Sequence, residues 1–256
     1  VNALVIDDPR VDVLSVPVCA TTMARALDRV SSWIEDRDPH FVTFTGVHGV
    51  MESQSDPELL LIHQQAGMVC PDGMPMVWSS RLAGVKDVTR VYGPDFMLAM
   101  SERSAERGYS SFFYGGNDGV AEQLADALRA RFAGMPVAGT WCPPFRPLTD
   151  EEKVEVVTMI NGSGADMVWV GLSTPKQERW MAEFLPLLDV PVLLGVGAAF
   201  DIHSGNLRQA PPFLQKAGLE WLYRLAMEPR RLWRRYLHNN PRFVWALARR
   251  RPTVIS

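Results

Sequence analysis

The chain has 256 residues, 47% of them hydrophobic, and a formal net charge of −3, enough apolar material for one sizeable core or for a core with an appendage. No apolar run approaches the ~20 residues that span a bilayer, and Cys19, Cys70 and Cys142 match neither a disulfide framework nor a zinc site, which points to a reducing compartment. The charge is unevenly placed: from Gly205 to Ser256 eleven Lys and Arg accompany two Asp and Glu, a balance of +9, while residues 1–204 carry −12, so two regions of opposite sign suggest two jobs.

The first fifteen residues, VNALVIDDPRVDVLS, have no basic and apolar succession of a signal peptide. Residues 21–36 show helical spacing, with Met23, Ala26, Leu27, Val30 and Ile34 on one side. FVTFTG (41–46) reads as a short strand, and AGMVCPDGM (66–74) as an apolar run entering a Pro-Asp-Gly turn. SSFFYGG (110–116) is a strand stopped by two glycines. A helix over 117–132 follows, with Asn117 or Asp118 as N-cap. VAGTWCPPF (137–145) ends in a proline loop, and 149–161 is helical with an acidic first turn. DMVWVGL (166–172) is a strand, STPKQERWMAEFLPLL a helix with Pro175 near its start, and PVLLGVG (191–197) another strand. From Pro211 onward no strand is expected: one helix runs to Met227, Pro229 opens a second, HNNP breaks it, and Pro241 opens a third. The alternation with near-continuous apolar strands predicts a doubly wound parallel α/β sheet over 1–204, with a basic, all-helical appendage over 205–256.

In such sheets ligands bind beyond the carboxyl ends of the strands, where Thr43, Thr45, Asp72, Gln177, Glu178 and Asp201 fall. Asp72 reads either as a turn residue or as a partly desolvated general base. The loop carrying Gly115 and Gly116 is either a tight turn or a set of backbone N–H groups facing an anion, and it is neither a dinucleotide fingerprint nor a P-loop. Arg90 is a surface ion-pair partner or an anion ligand, and Asp95 can cap the helix that follows it. Glu178 suits a helix N-terminus, and Gln177 can offer both donor and acceptor to a sugar or base. Asp201 is a turn residue or an acceptor for sugar hydroxyls. Asp36-Arg37-Asp38 closes a polar helix and reads as a solvated cluster rather than a metal site.

The tail pairs Arg230 with Arg234 and Arg231 with Arg235 at i,i+4, interleaved with Leu232, Trp233, Tyr236 and Leu237. Cations in the first turn after Pro229 oppose the helix dipole, while guanidinium forks suit phosphate oxygens. Such a segment fits an anionic membrane surface, and nucleic acid could use the same charge.

Taken in order, FVTFTG, CPDGMPMVW, RVYGPDFM, FFYGG, WVGLSTPKQERWM, GVGAAFDIHSG and APPFLQKAGLEWLYRLAMEPRRLWRRYLHNNPRF resemble the WecG/TagA/CpsF family, also called glycosyltransferase family 26. The resemblance implies a GT-E-like, Rossmann-like core with a C-terminal helical appendage. It implies an inverting, metal-independent transferase with no cofactor, moving a sugar such as N-acetylmannosamine, its uronic acid or another hexose. The donor would be a nucleotide sugar, usually a UDP-sugar, and the acceptor a polyprenyl-diphosphate-linked saccharide of bacterial cell-surface polysaccharide synthesis. The enzyme would be cytoplasmic and peripheral on the inner face of the cell membrane, without nucleic acid as partner; a homo-oligomer is left open. Carried over residue by residue, the base is Asp72, with Thr43, Arg90 and Gln177 beside it. Asp201 is expected near the nucleotide, and Arg224, Arg231 and Arg234 are the appendage arginines. Thr45 stands where the family has Asn, and Gln209 where many members have Arg, with Arg208 one position earlier. The departure at Thr45 keeps a second reading alive, a catalytically inactive membrane-associated partner of an assembly complex. A Rossmann-type dehydrogenase would require the dinucleotide fingerprint that YGGNDG lacks.

Overall fold

The computed structural model describes residues 8–255, without the side chain of Arg231. In chain order its elements are β1 (Arg10–Val13), β2 (Val16–Cys19), α1 (Met23–Asp36), β3 (His40–Thr45), α2 (Val47–Ser53), α3 (Pro57–Gln65), β4 (Met68–Pro71) and α4 (Met74–Leu82). There follow α5 (Gly93–Arg107), β5 (Ser111–Gly115), α6 (Val120–Arg131), β6 (Val137–Trp141), α7 (Asp150–Gly162), β7 (Met167–Gly171), α8 (Lys176–Phe184), β8 (Val192–Gly195) and α9 (Ala199–His203). The last are α10 (Pro212–Lys216), α11 (Glu220–Met227), α12 (Pro229–Arg249) and β9 (Thr253–Ile255).

The six-stranded parallel sheet has the order β4-β3-β8-β7-β5-β6. Its central strands β5, β7 and β8 are buried along their length, save Gly171 at the end of β7. Being covered on both faces, they read as unbroken apolar runs, and the expected Rossmann-like α/β architecture is the one observed. Because the strands are parallel, the residues that follow β3, β4, β5, β7 and β8 all leave the sheet at carboxyl ends.

The chain forms two compact units. One is built from the segment ending at Ala26, from Phe44–Tyr92 and from Gln209 onward. Here β1 pairs antiparallel with both β2 and β9. The strand β9 corrects the expectation of none beyond Pro211. The β1–β2 turn places Leu14 and Ser15 at positive φ, 54° and 71°. Gly218 divides the expected single helix into α10 and α11. It sits at φ 72°, where a Cβ would lie 2.8 Å from the Trp78 ring. The second and third expected tail helices are one: α12 continues through Pro241. Proline inside a helix costs ~3 kcal/mol, and burial of Leu232, Asn239 and Phe243 on one face of α12 offsets it.

The other unit comprises Leu27–Thr43 and Gly93–Arg208. Thr149 and Glu152 form a reciprocal cap at the start of α7, whose first turn is acidic. The N-cap of α6 is Gly119 at φ 79°, not Asn117 or Asp118. Asp95 lies inside the first turn of α5, which begins two residues earlier, so it complements the helix dipole rather than capping.

Candidate active site

In the first unit Asp72, the base that the family resemblance implies, is the residue after β4. Its N–H donates to the Thr45 carbonyl at 3.2 Å, and its own carbonyl accepts from Arg90 Nε at 2.7 Å. The peptide carrying the carboxylate is therefore gripped at both ends. Arg90 has little freedom left. Its Nη1 donates to Gln215 Oε1 at 3.0 Å, its Nη2 pairs with the Glu220 carboxylate, and its plane lies 3.8 Å from the centre of the Tyr92 ring. The Arg90 and Glu220 side chains are 14% and 16% exposed, so this is a part-buried ion pair. The expected surface or anion-ligand arginine is thus a strut between the Asp72 loop and the α10–α11 segment. Tyr92 hydrogen-bonds Glu220, and burial, reinforced by the Glu220 and Asp72 charges, pushes its phenol well above the ordinary range.

Thr45 ends β3 and is buried; its hydroxyl lies 3.1 Å from His63 Nε2. His63 Nδ1 lies 3.0 Å from the Leu59 carbonyl and 3.2 Å from Ser53 Oγ. His48, in the first turn of α2, meets Asn239 of α12 through Nδ1 at 3.1 Å. Burial, and secondarily the Arg235 charge, push its pKa down to about 3.

Of the tail arginines, Arg224 lies in α11 with its Nε buried and without an acceptor among the described residues. Arg234 is exposed on α12, its guanidinium 5.3 Å from the centre of the Trp233 ring. The side chain of Arg231 lies outside the described part. Exposed Trp233, Leu237, Val244 and Trp245 form an apolar stripe along α12, with Arg230, Arg234, Arg242 and Arg249 beside it. No helix among the described residues is long and apolar enough to cross a membrane.

In the second unit Gln177 and Glu178 occupy the first turn of α8, 3% and 1% exposed. Gln177 Nε2 donates to the Gly195 carbonyl at 2.9 Å and to Glu178 Oε1 at 3.2 Å. Thr174 also donates to Glu178 Oε1, at 2.8 Å. Gln177 Oε1 has no donor among the described residues. A Cβ on Gly197 would stand 3.1 Å from it. Thr43 lies opposite Gly195 in the β3–β8 pairing and is fully buried. Asp201 lies in the first turn of α9, and His203 donates from Nε2 to the Pro94 carbonyl at 2.8 Å.

The glycine loop departs from its anion-binding expectation at one atom: the Gly116 N–H donates to the Gly171 carbonyl at 3.1 Å. Packing explains these glycines. A Cβ on Gly115 would stand 2.7 Å from the Gly171 backbone, and one on Gly116 2.8 Å from Val120. Among the described residues no three His, Cys, Asp or Glu side chains are grouped to hold a metal ion.

Tyr92, Gln215, Glu220 and His63 were not singled out from the sequence. Glu220 stands at the start of a helix, where an acid already suits the dipole, so nothing local marks its pairing with Arg90.

Comparison with known proteins adds the chemical class. The family model described as "Glycosyl transferase WecG/TagA/CpsF family" matches residues 11–254. A Bacillus spizizenii protein named N-acetylglucosaminyldiphosphoundecaprenol N-acetyl-beta-D-mannosaminyltransferase is 29% identical over 217 residues, 85% of this chain and 82% of that protein.

Proposed function

Because the chain belongs to the WecG/TagA/CpsF family of glycosyl transferases, we propose that it transfers a sugar from UDP to a polyprenyl-diphosphate-linked saccharide with inversion at the anomeric carbon. The Bacillus relative acts, by its name, on an N-acetylglucosaminyl-diphosphoundecaprenol acceptor, and N-acetylmannosamine is the sugar we assign first.

The reaction is a single displacement. The Asp72 carboxylate takes the proton of the acceptor hydroxyl as that oxygen attacks C1 of the donor sugar, and the C1–O bond to the diphosphate breaks. Negative charge grows on the departing phosphate oxygens and needs fixed donors. The observation that carries this reading is Arg224, a guanidinium with a buried Nε that no described acceptor meets. A buried guanidinium N–H without an acceptor is costly unless an incoming acceptor completes it. Arg224, with Arg231 and Arg234, takes the role that a divalent ion plays in other transferases. Arg90 holds the Asp72 peptide rather than touching phosphate. In the second unit, Gln177 Oε1 calls for an O–H or N–H donor such as a sugar hydroxyl or amide carries, and we assign Thr43, Gln177, Glu178 and Asp201 to substrate recognition. The α12 stripe of Trp233, Leu237, Val244 and Trp245, flanked by arginines, supports docking on an anionic membrane, at ~1 kcal/mol per basic residue near the surface.

The test is direct. Full-length protein is mixed with UDP-N-acetylmannosamine and N-acetylglucosaminyl-diphosphoundecaprenol, in EDTA and in Mg²⁺. UDP release and product mass are followed, and the new linkage is assigned by NMR. A β-linked disaccharide lipid formed in EDTA is expected. No product with this pair, while a panel of other UDP- and GDP-sugars also fails, would reject the reading.

A further inference from the structure

His63 is a fully buried titratable side chain that the transfer mechanism does not use. Its hydrogen bonds fix its tautomer. Ser53 gives its single hydroxyl proton to the Gly49 carbonyl at 2.9 Å, so toward His63 Nδ1 it can only accept. The other neighbour of Nδ1 is the Leu59 carbonyl, again an acceptor. Nδ1 therefore carries the proton. Burial lowers the pKa of the ring, which is neutral, and Nε2 is left as a bare acceptor. It faces Thr45, whose hydroxyl must donate to it. With its proton directed there, Thr45 can only accept from any other group. The fit is close: a Cβ on Gly49 would stand 2.8 Å from Thr45 Cγ2. Thr45 is thus held by its side chain, and its carbonyl in turn holds the N–H of Asp72.

We propose that His63 is a positioning residue for glycosyl transfer, acting through Thr45 on the peptide that aims the Asp72 carboxylate. This rests on the reading of Asp72 as the base. Small errors in the direction of a reacting group cost much rate and little binding, so the signature is a change in kcat with KM kept.

The experiment uses the full chain with UDP-N-acetylmannosamine and N-acetylglucosaminyl-diphosphoundecaprenol. Thr45→Val keeps shape and removes the donated proton. His63→Asn keeps an amide near Nδ1 and withdraws the acceptor from Thr45. His63→Gln carries an amide oxygen to the place of Nε2. Expected are kcat losses of about ten-fold for Thr45→Val and for His63→Asn, no further loss in the double variant, unchanged KM, and recovery to within about three-fold by His63→Gln. Imidazole ¹⁵N shifts of the wild type should show a protonated Nδ1 and a bare Nε2, a readout that needs no turnover. The opposite tautomer overturns the proposal even if every variant folds poorly. Wild-type kcat in Thr45→Val and His63→Asn, with Asp72→Asn inactive in the same assay, overturns this inference alone. Full activity in Asp72→Asn, or no turnover by the wild type, overturns the functional reading and the inference with it.

Discussion

The Nε–H of Arg90 donates to the main-chain carbonyl of Asp72 at 2.7 Å, while the rest of its guanidinium is held by Gln215, Glu220 and the face of Tyr92. Arg90 is thereby a part of the mounting of the Asp72 peptide. Its removal should act on both stability and rate. Arg90→Met leaves Glu220 part-buried and uncompensated, and a loss of about 3 kcal/mol in unfolding free energy is expected, read from urea denaturation. Glu220→Gln, whose amide can still accept, should lose about 1.5 kcal/mol. An unmoved urea midpoint in both would refute the strut.

Asp72→Asn should behave differently. It keeps the backbone contacts to Thr45 and Arg90 and removes only the proton acceptor. Turnover at saturating substrates should fall about 10²- to 10⁴-fold, with the melting curve superimposable on that of the wild type.

Arg224 separates rate from stability in the opposite sense. Its buried Nε meets no acceptor among the described residues, an arrangement that destabilises the free protein. Arg224→Met should raise the unfolding free energy by about 1 kcal/mol and lower kcat about 10²-fold. A variant that is less stable and equally active would place Arg224 in the scaffold.

Acid should weaken the fold early. His48 is held neutral down to about pH 3 by burial and the nearby Arg235, whereas an unfolded histidine binds its proton near 6.5. Between these values the unfolded state carries the extra proton, so stability is fully present above pH 6.5 and is lost as pH falls through that window. The slope is about 1.4 kcal/mol per pH unit for this one group. Burial lowers the pKa of His63 and His203 as well, adding in the same direction. His48→Gln, which retains an acceptor for Asn239, should flatten the pH 4–6 limb of a plot of urea midpoints. An identical limb would mean that His48 is not the group responsible.

The exposed apolar and basic face of α12, proposed to dock on a membrane, gives a binding prediction. Leu237 and Trp245 are 63% and 58% exposed. Leu237→Glu with Trp245→Glu should abolish co-sedimentation with vesicles containing phosphatidylglycerol, and raised salt should weaken wild-type binding as charge is screened. Retention of the double variant on such vesicles would remove this face from docking.

How much of this was legible beforehand depended on where the cause of each feature lay. Strands such as Met167–Gly171 and Val192–Gly195 announce themselves, because burial on both faces demands unbroken apolar runs. The β1–β2 hairpin did not, because its turn is made by Leu14 and Ser15 at positive φ rather than by the glycine or asparagine that usually marks one. Pro241 reads locally as a break, and it is the seating of Leu232, Asn239 and Phe243 on one face that carries the helix through it. Among the candidate residues, Asp72 was visible through its turn in one unit and Gln177 through its place in a first helical turn in the other. The contacts that hold them were not, because Arg90 and Glu220 lie 130 residues apart and each has a sufficient local explanation.

Pro241 has a consequence for depth. Having no N–H, it cannot complete the helical hydrogen bond to the carbonyl of Leu237, which lies on the exposed side of α12. In water or among lipid headgroups that oxygen finds donors; among acyl chains it finds none, at a cost of several kcal/mol. A helix built this way is unsuited to sink among acyl chains, whatever surface it meets.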